Sequence, residues 1–184
     1  MPDRLRAIFV PAILVAIGYP FCSFGAEGEQ PGAARVFRAG AYAIDVTPTK
    51  FPVLVSGSSL EQGATKVVDP LHARCLVLDD GVSKIAIAVV DSLLIPRPLM
   101  DDAKQMAHEK TGIPVDRMLI SATHTHTAPS VYGVLGTDCD EAYAGYLPGR
   151  IAAGIERANK NLAPARIGWA MGKDPTNVFC RRFL

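Results

Sequence analysis

The chain has 184 residues, 49% of them hydrophobic, and a formal net charge of +1. That length and apolar share suit one domain with a real core. The balanced charge, with no basic stripe interleaved with aromatics, argues against a nucleic-acid partner.

The first segment differs in kind from the rest. Arg4 and Arg6 precede an apolar run at 7–17, and the small residues Ser23 and Gly25 follow. A basic start, a short apolar middle and a small-residue exit predict a signal peptide over 1–25. The run is short for a bilayer span and contains Pro11. The expected location is therefore periplasmic or extracellular. Export removes Cys22 and leaves Cys75, Cys139 and Cys180, which cannot all pair with one another. Cys75 lies in an apolar run and reads as a buried small hydrophobe. Residues 26–36 are small and polar, as in a flexible mature N-terminus, and the domain itself is expected over 37–184.

A first strand is predicted over 36–46, with Asp45 placed to cap the turn at Thr47-Pro48 or to border the pocket. Residues 49–65 are rich in Gly, Ser and Pro and read as a long surface loop. Two apolar runs at 72–78 and 84–90 flank Asp80-Gly81, a strong hairpin signal. Residues 85–90 are apolar at every position, which predicts a strand covered on both faces. Asp91 at its end is an acid at the tip of a buried strand, a position that a helix or turn cap also explains. Helical spacing follows over 97–110, with Leu99, Ala103, Met106 and Ala107 as the apolar stripe and Gly112 and Pro114 as the stop. A strand at 117–123, a second helix at 141–161 and a further strand at 165–172 complete the order. The run from Asn177 to Leu184 is strand-like and has no closing element, which predicts a fragment. The expected fold is α/β: a mixed β-sheet core flanked by helices, incomplete at the C-terminus.

Chemistry concentrates at the strand over 117–123. It leads into Thr123-His124-Thr125-His126-Thr127-Ala128-Pro129-Ser130. In an extended chain, residues two apart project to the same side, so both imidazoles leave the strand tip together. Such a pair can hold a metal or polarise a substrate; it can also be a merely polar strand face. The small residues that follow let a substrate approach closely. His72, at a strand start, reads as structural, and His108 as solvent-facing on its helix.

These residues carry a resemblance to the neutral/alkaline ceramidase family. Gly40 to Pro48 looks like the family's G-x-x-x-x-D-I/V-T-P opening, and Asp69 to Leu78 resembles its next strand. Ser121-Ala122-Thr123-His124-Thr125-His126-Thr127-Ala128-Pro129 is close to its S-A/G-T-H-T-H-S/A-G-P zinc motif. Asn177 to Arg182 is similar to the N-x-N-R-S-P segment downstream. The resemblance implies an α/β catalytic domain that binds one Zn2+ ion and cleaves the amide of ceramide or a related lipid amide at a membrane surface. By that analogy His124 is a zinc ligand. His126 is the catalytic residue beside the metal that stabilises the oxyanion, and Arg181 contacts substrate. Cys180 replaces the family's asparagine and Arg182-Phe183 replaces Ser-Pro, which puts the substrate side of the pocket in doubt. The family's further histidine, glutamate and tyrosine ligands and its active-site serine correspond to positions beyond 184. Two other readings are a barrel-type amidohydrolase, in which both histidines bind metal, and a secreted non-catalytic module.

Overall fold

The computed structural model describes residues 35–176. The predicted signal peptide, most of the predicted flexible segment, and Cys180 and Arg181 lie outside them.

Among the described residues, seven strands and two α-helices form: β1 (Arg38–Asp45), β2 (Val53–Val55), β3 (Gln62–Ala64), β4 (His72–Asp79), β5 (Lys84–Val90), α1 (Arg97–Thr111), β6 (Met118–Ala122), α2 (Glu141–Lys160) and β7 (Ala163–Pro164). Five strands make one sheet in the order β6-β5-β4-β1-β7, and β2 pairs with β3 in a separate hairpin. β1 pairs antiparallel with β4 and β7, β4 antiparallel with β5, and β5 parallel with β6. The fold is thus α/β with a mixed sheet. An open sheet dominated by antiparallel pairs is not the closed parallel barrel of the alternative amidohydrolase reading.

Local chemistry explains these elements. At the β4–β5 turn, Asp80 Oδ1 accepts the backbone N–H groups of Val82 and Ser83, and Gly81 takes a positive φ of 84°. Parallel pairing of β5 and β6 demands a crossover, which α1 supplies. That helix ends where Gly112 adopts the left-handed conformation and returns its N–H to His108 O. The His108 ring is exposed, as expected, yet its Nδ1 also meets Ile113 O at 2.9 Å, so it braces the helix end. Of the predicted stripe, Ala103 and Ala107 are buried and Leu99 is partly so, whereas Met106 faces outward.

α2 begins at Asp140, whose Oδ1 accepts the Tyr143 N–H at 3.0 Å. Leu147, Ile151, Ile155 and Ala158 are fully buried along one face of this helix, which packs against β1, β4 and β5 and beside α1. Its approach is close: a Cβ on Gly154 would stand 2.8 Å from both Cys75 Sγ and Ile44 Cγ2. Cys75 is buried as predicted, and burial pushes its thiol up to about 12. No helix among the described residues is long and apolar enough to cross a membrane.

Three expectations change. Both helices cover one face of the sheet, so β5 is not covered on both sides by the described residues. On the other face Leu76, Ile87 and Val89 are half-buried, and Leu119 is 58% exposed. The loop at 49–65 contains the β2–β3 hairpin, built on the short apolar run Val53-Leu54-Val55. The strand expected at 165–172 is instead the two-residue β7 before it, held by Ala165 N–H to Phe37 O.

Candidate functional site

β6 stops at Ala122, two residues short of the first candidate histidine. The chain stays tied to the neighbouring loop by Thr123 N–H to Val90 O at 2.9 Å and Thr125 N–H to Ser92 O at 3.2 Å. Between those bonds His124 takes a φ of 65°, a left-handed conformation that non-glycine residues rarely hold. Such strain persists only where the surroundings enforce it, and it clusters at functional sites. The two histidines therefore do not align by strand alternation, as the spacing predicts. A backbone reversal at His124 brings them together.

They meet closely. His124 Nε2 and His126 Nε2 are 3.4 Å apart, and the rings stand edge to face at 86° with centroids 4.9 Å apart. Each Nδ1 is already engaged with a backbone carbonyl: His124 with Leu93 O at 2.9 Å, His126 with Gly57 O at 2.8 Å. A carbonyl only accepts, so both Nδ1 atoms carry hydrogen. In the neutral rings both Nε2 atoms then present lone pairs, aimed at one another. The pair is open to solvent, so water, a proton or a cation can meet them.

A metal ion fits this donor set. Ligating histidines characteristically give their second N–H to a carbonyl or carboxylate, which fixes the tautomer. Among the described residues no group of three or more His, Cys, Asp or Glu side chains gathers to hold a metal. The pair thus offers two donors, where a catalytic zinc takes three protein ligands and an open position.

The loop at 49–65 completes the site in a way that sequence reasoning missed. Gly57 has φ 128°, and a Cβ there would fall 2.5 Å from His126 Cβ. Only glycine lets this carbonyl reach the ring. The hairpin that carries Gly57 is fastened to the histidine loop by a Val55–Pro129 bridge and by Ser130 N–H to Leu54 O at 2.8 Å. Asp140 Oδ2 in turn accepts the Leu54 N–H at 3.1 Å, so the cap of α2 also anchors β2. Its signal in the sequence was Ser56-Gly57-Ser58-Ser59, a run that reads as ordinary loop.

The other candidates hold structure together. Asp45 Oδ1 accepts the Thr47 N–H at 2.7 Å, the cap expected of it. Asp91 caps no helix: Oδ2 accepts the His72 N–H and Oδ1 the Arg74 guanidinium, which ties the end of β5 to the start of β4. His72 opens β4 opposite Asp45.

Beside the pair lies a cleft of about 420 Å³ walled by the β2–β3 hairpin, the segment before β4 and the histidine loop, with His126 in its lining.

No protein-family model matches the sequence, and no curated protein matches it at a significant level. Solved structures do match. A crystal structure of neutral ceramidase from Pseudomonas aeruginosa superposes with a TM-score of 0.62 at 23% identity, over 71% of this chain and 22% of that one. A ceramidase complexed with C2 gives 0.63, with the same identity and coverage. The chain has a neutral ceramidase-like fold. It spans 22% of the length of each matched ceramidase, and at this identity the likeness speaks for the fold alone.

Proposed function

We propose that this chain carries part of the active site of a zinc-dependent amidohydrolase that cleaves the N-acyl amide of ceramide or a related lipid amide. One observation carries the reading: two histidine Nε2 atoms converge at 3.4 Å on a ceramidase-like fold, with both Nδ1 positions locked by carbonyls. Within it, His124 is the metal ligand and His126 the catalytic residue. Arg181 is the substrate contact that the family resemblance implies. The same reading has the protein exported by residues 1–25 and meeting its substrate at a membrane surface.

Zinc, when bound, supplies a Lewis acid for the amide carbonyl and a water acidic enough to attack near neutral pH. The chain's own part is positioning and proton movement. Leu93 O holds the His124 ring so that its Nε2 lone pair faces the shared point. Gly57 O keeps hydrogen on His126 Nδ1, so His126 Nε2 is a base while the ring is neutral. Once it has taken a proton, the same Nε2 becomes a donor to the developing oxyanion or the departing nitrogen. General acid–base transfer of this kind contributes about 10²–10⁴-fold.

The test is zinc titration of a version of the protein that also carries the further ligands the family resemblance implies, with acyl release from ceramide measured in the same preparations. His124→Ala is expected to abolish zinc binding; His126→Ala is expected to keep the metal and lose turnover. Equal loss of metal in both variants would make His126 a ligand instead. No zinc bound by that version without substitutions would end the reading.

A further inference from the structure

We propose that Ser92 is a positioning residue for His124: its buried hydroxyl fixes the direction of the Leu93 carbonyl, and so decides which nitrogen of the His124 ring is left free. The consequence for metal binding rests on the zinc reading above; the orientation of the ring does not.

The stretch at 90–93 serves as a template for the histidine loop. Three of its carbonyls point there. Val90 O accepts the Thr123 N–H at 2.9 Å, Ser92 O the Thr125 N–H at 3.2 Å and Leu93 O the His124 Nδ1–H at 2.9 Å. These bonds bracket His124, whose φ is 65°. A non-glycine residue holds such a conformation only where its surroundings over-determine it.

The template needs a restraint of its own, because residues 91–96 lie between β5 and α1, outside any helix or strand. Ser92 supplies it. The residue is 1% exposed, and its Oγ donates to Leu94 O at 2.9 Å. The ring closed by that bond contains two peptide units, one carrying Ser92 O and the other Leu93 O. One hydroxyl therefore sets both carbonyls, the one that holds Thr125 and the one that holds the His124 ring. Buried as it is, the hydroxyl has no water to turn to instead.

Which nitrogen of a neutral imidazole carries hydrogen is decided by the bonds the ring makes. While Leu93 O faces Nδ1, the hydrogen stays there and Nε2 keeps its lone pair. If that carbonyl swings away, Nδ1–H loses its acceptor and the Nε2–H form, whose Nε2 cannot ligate, gains population. Ser130 offers an internal comparison. It is fully buried, and its Oγ donates to Tyr132 O at 3.0 Å, the same bond from residue i to residue i+2. The Ser130 carbonyl inside that ring accepts the Asp140 N–H and no histidine.

The experiment is a two-bond 1H–15N correlation of the histidine rings in the full chain at about pH 8.5, roughly two units above the ordinary histidine pKa, where the rings are neutral. With four histidines in the chain, single alanine variants assign every ring. In the unmutated chain His124 is expected in the Nδ1–H form alone. Ser92→Ala is expected to turn this into a mixture with the Nε2–H form. In the version that carries the further ligands it is expected to weaken zinc binding about tenfold, as loss of a group that orients a ligand does. Ser130→Ala is expected to leave the His124 signature as it was. Should Ser92→Ala fail to fold, Ser92→Cys, whose S–H is a weaker donor, is expected to give a smaller share of Nε2–H. A His124 signature unchanged in the Ser92 variants overturns the proposal. So does an equal mixture in Ser92→Ala and Ser130→Ala, or an unmutated His124 already in the Nε2–H form. The expected tautomer pattern with no zinc bound keeps the role of Ser92 in orienting the ring and removes the zinc reading.

Discussion

His124 Nε2 faces His126 Nε2 across 3.4 Å, while carbonyls at Leu93 and Gly57 occupy both Nδ1 atoms. With both Nδ1 atoms engaged, the two Nε2 atoms form a ready donor pair for a cation. Zinc is therefore expected to raise the thermal midpoint, and a chelator to reverse the rise. Binding to the folded state alone gives about 2.7 kcal/mol at a hundredfold excess over Kd. His124→Ala is expected to erase the shift, and differential scanning fluorimetry with and without zinc reads it directly.

Gly57→Ala tests how the second ring is held. The new Cβ meets His126 Cβ at 2.5 Å, on a backbone whose φ of 128° side chains avoid. Strain of this kind costs about 1–3 kcal/mol, and the loop relieves it by drawing the Gly57 carbonyl away from Nδ1. The expected outcome is a lower denaturation midpoint and slower acyl release, with zinc binding and far-ultraviolet circular dichroism unchanged. A variant with normal turnover would show that this carbonyl does not position the ring.

Asp140 couples two elements through one carboxylate, capping α2 with Oδ1 and holding the Leu54 N–H with Oδ2. Asp140→Ala removes both bonds. Loss of a helix cap alone costs about 0.5–2 kcal/mol, and the freed hairpin adds to that. Urea denaturation is expected to show destabilisation at the upper end of that range. Asp140→Asn, which keeps an acceptor for the cap, is expected to lose less.

Much of this architecture is legible in the residues themselves. The Asp80-Gly81 pair marks the β4–β5 hairpin, and the helix expected over 141–161 forms as α2 (Glu141–Lys160), because both signals are local. The uniformly apolar β5 promises cover on two faces, yet periodicity cannot say which neighbour supplies it. The strands β2 and β3 are three residues each, too short for alternation to stand out against Gly, Ser and Pro. The meeting of the two histidines is expected from their spacing, but strand alternation is the wrong cause: a left-handed residue produces it. Gly57 is beyond any local reading, since the bond it makes joins positions 69 residues apart.

Asp91 gives the fold an acid limb. Burial opposes its ionisation, but the Arg74 hydrogen bond, the His72 N–H and the nearby positive charges outweigh it and hold the carboxyl below its ordinary range. A group with a depressed folded pKa binds fewer protons folded than unfolded, so its contribution is present above the unfolded value of about 3.9. It is lost as pH falls through the lower folded value. Stability measured by denaturant at a series of pH values is thus expected to decline below about pH 4, in part through this residue. Asp91→Asn cannot ionise and should flatten that part of the decline, while lowering stability at pH 7 because Arg74 loses its anion. Arg74→Met removes the partner and leaves the carboxylate, so it should shift the limb toward higher pH. If both variants kept the unmutated acid profile, the pair joining β4 to β5 would not govern it.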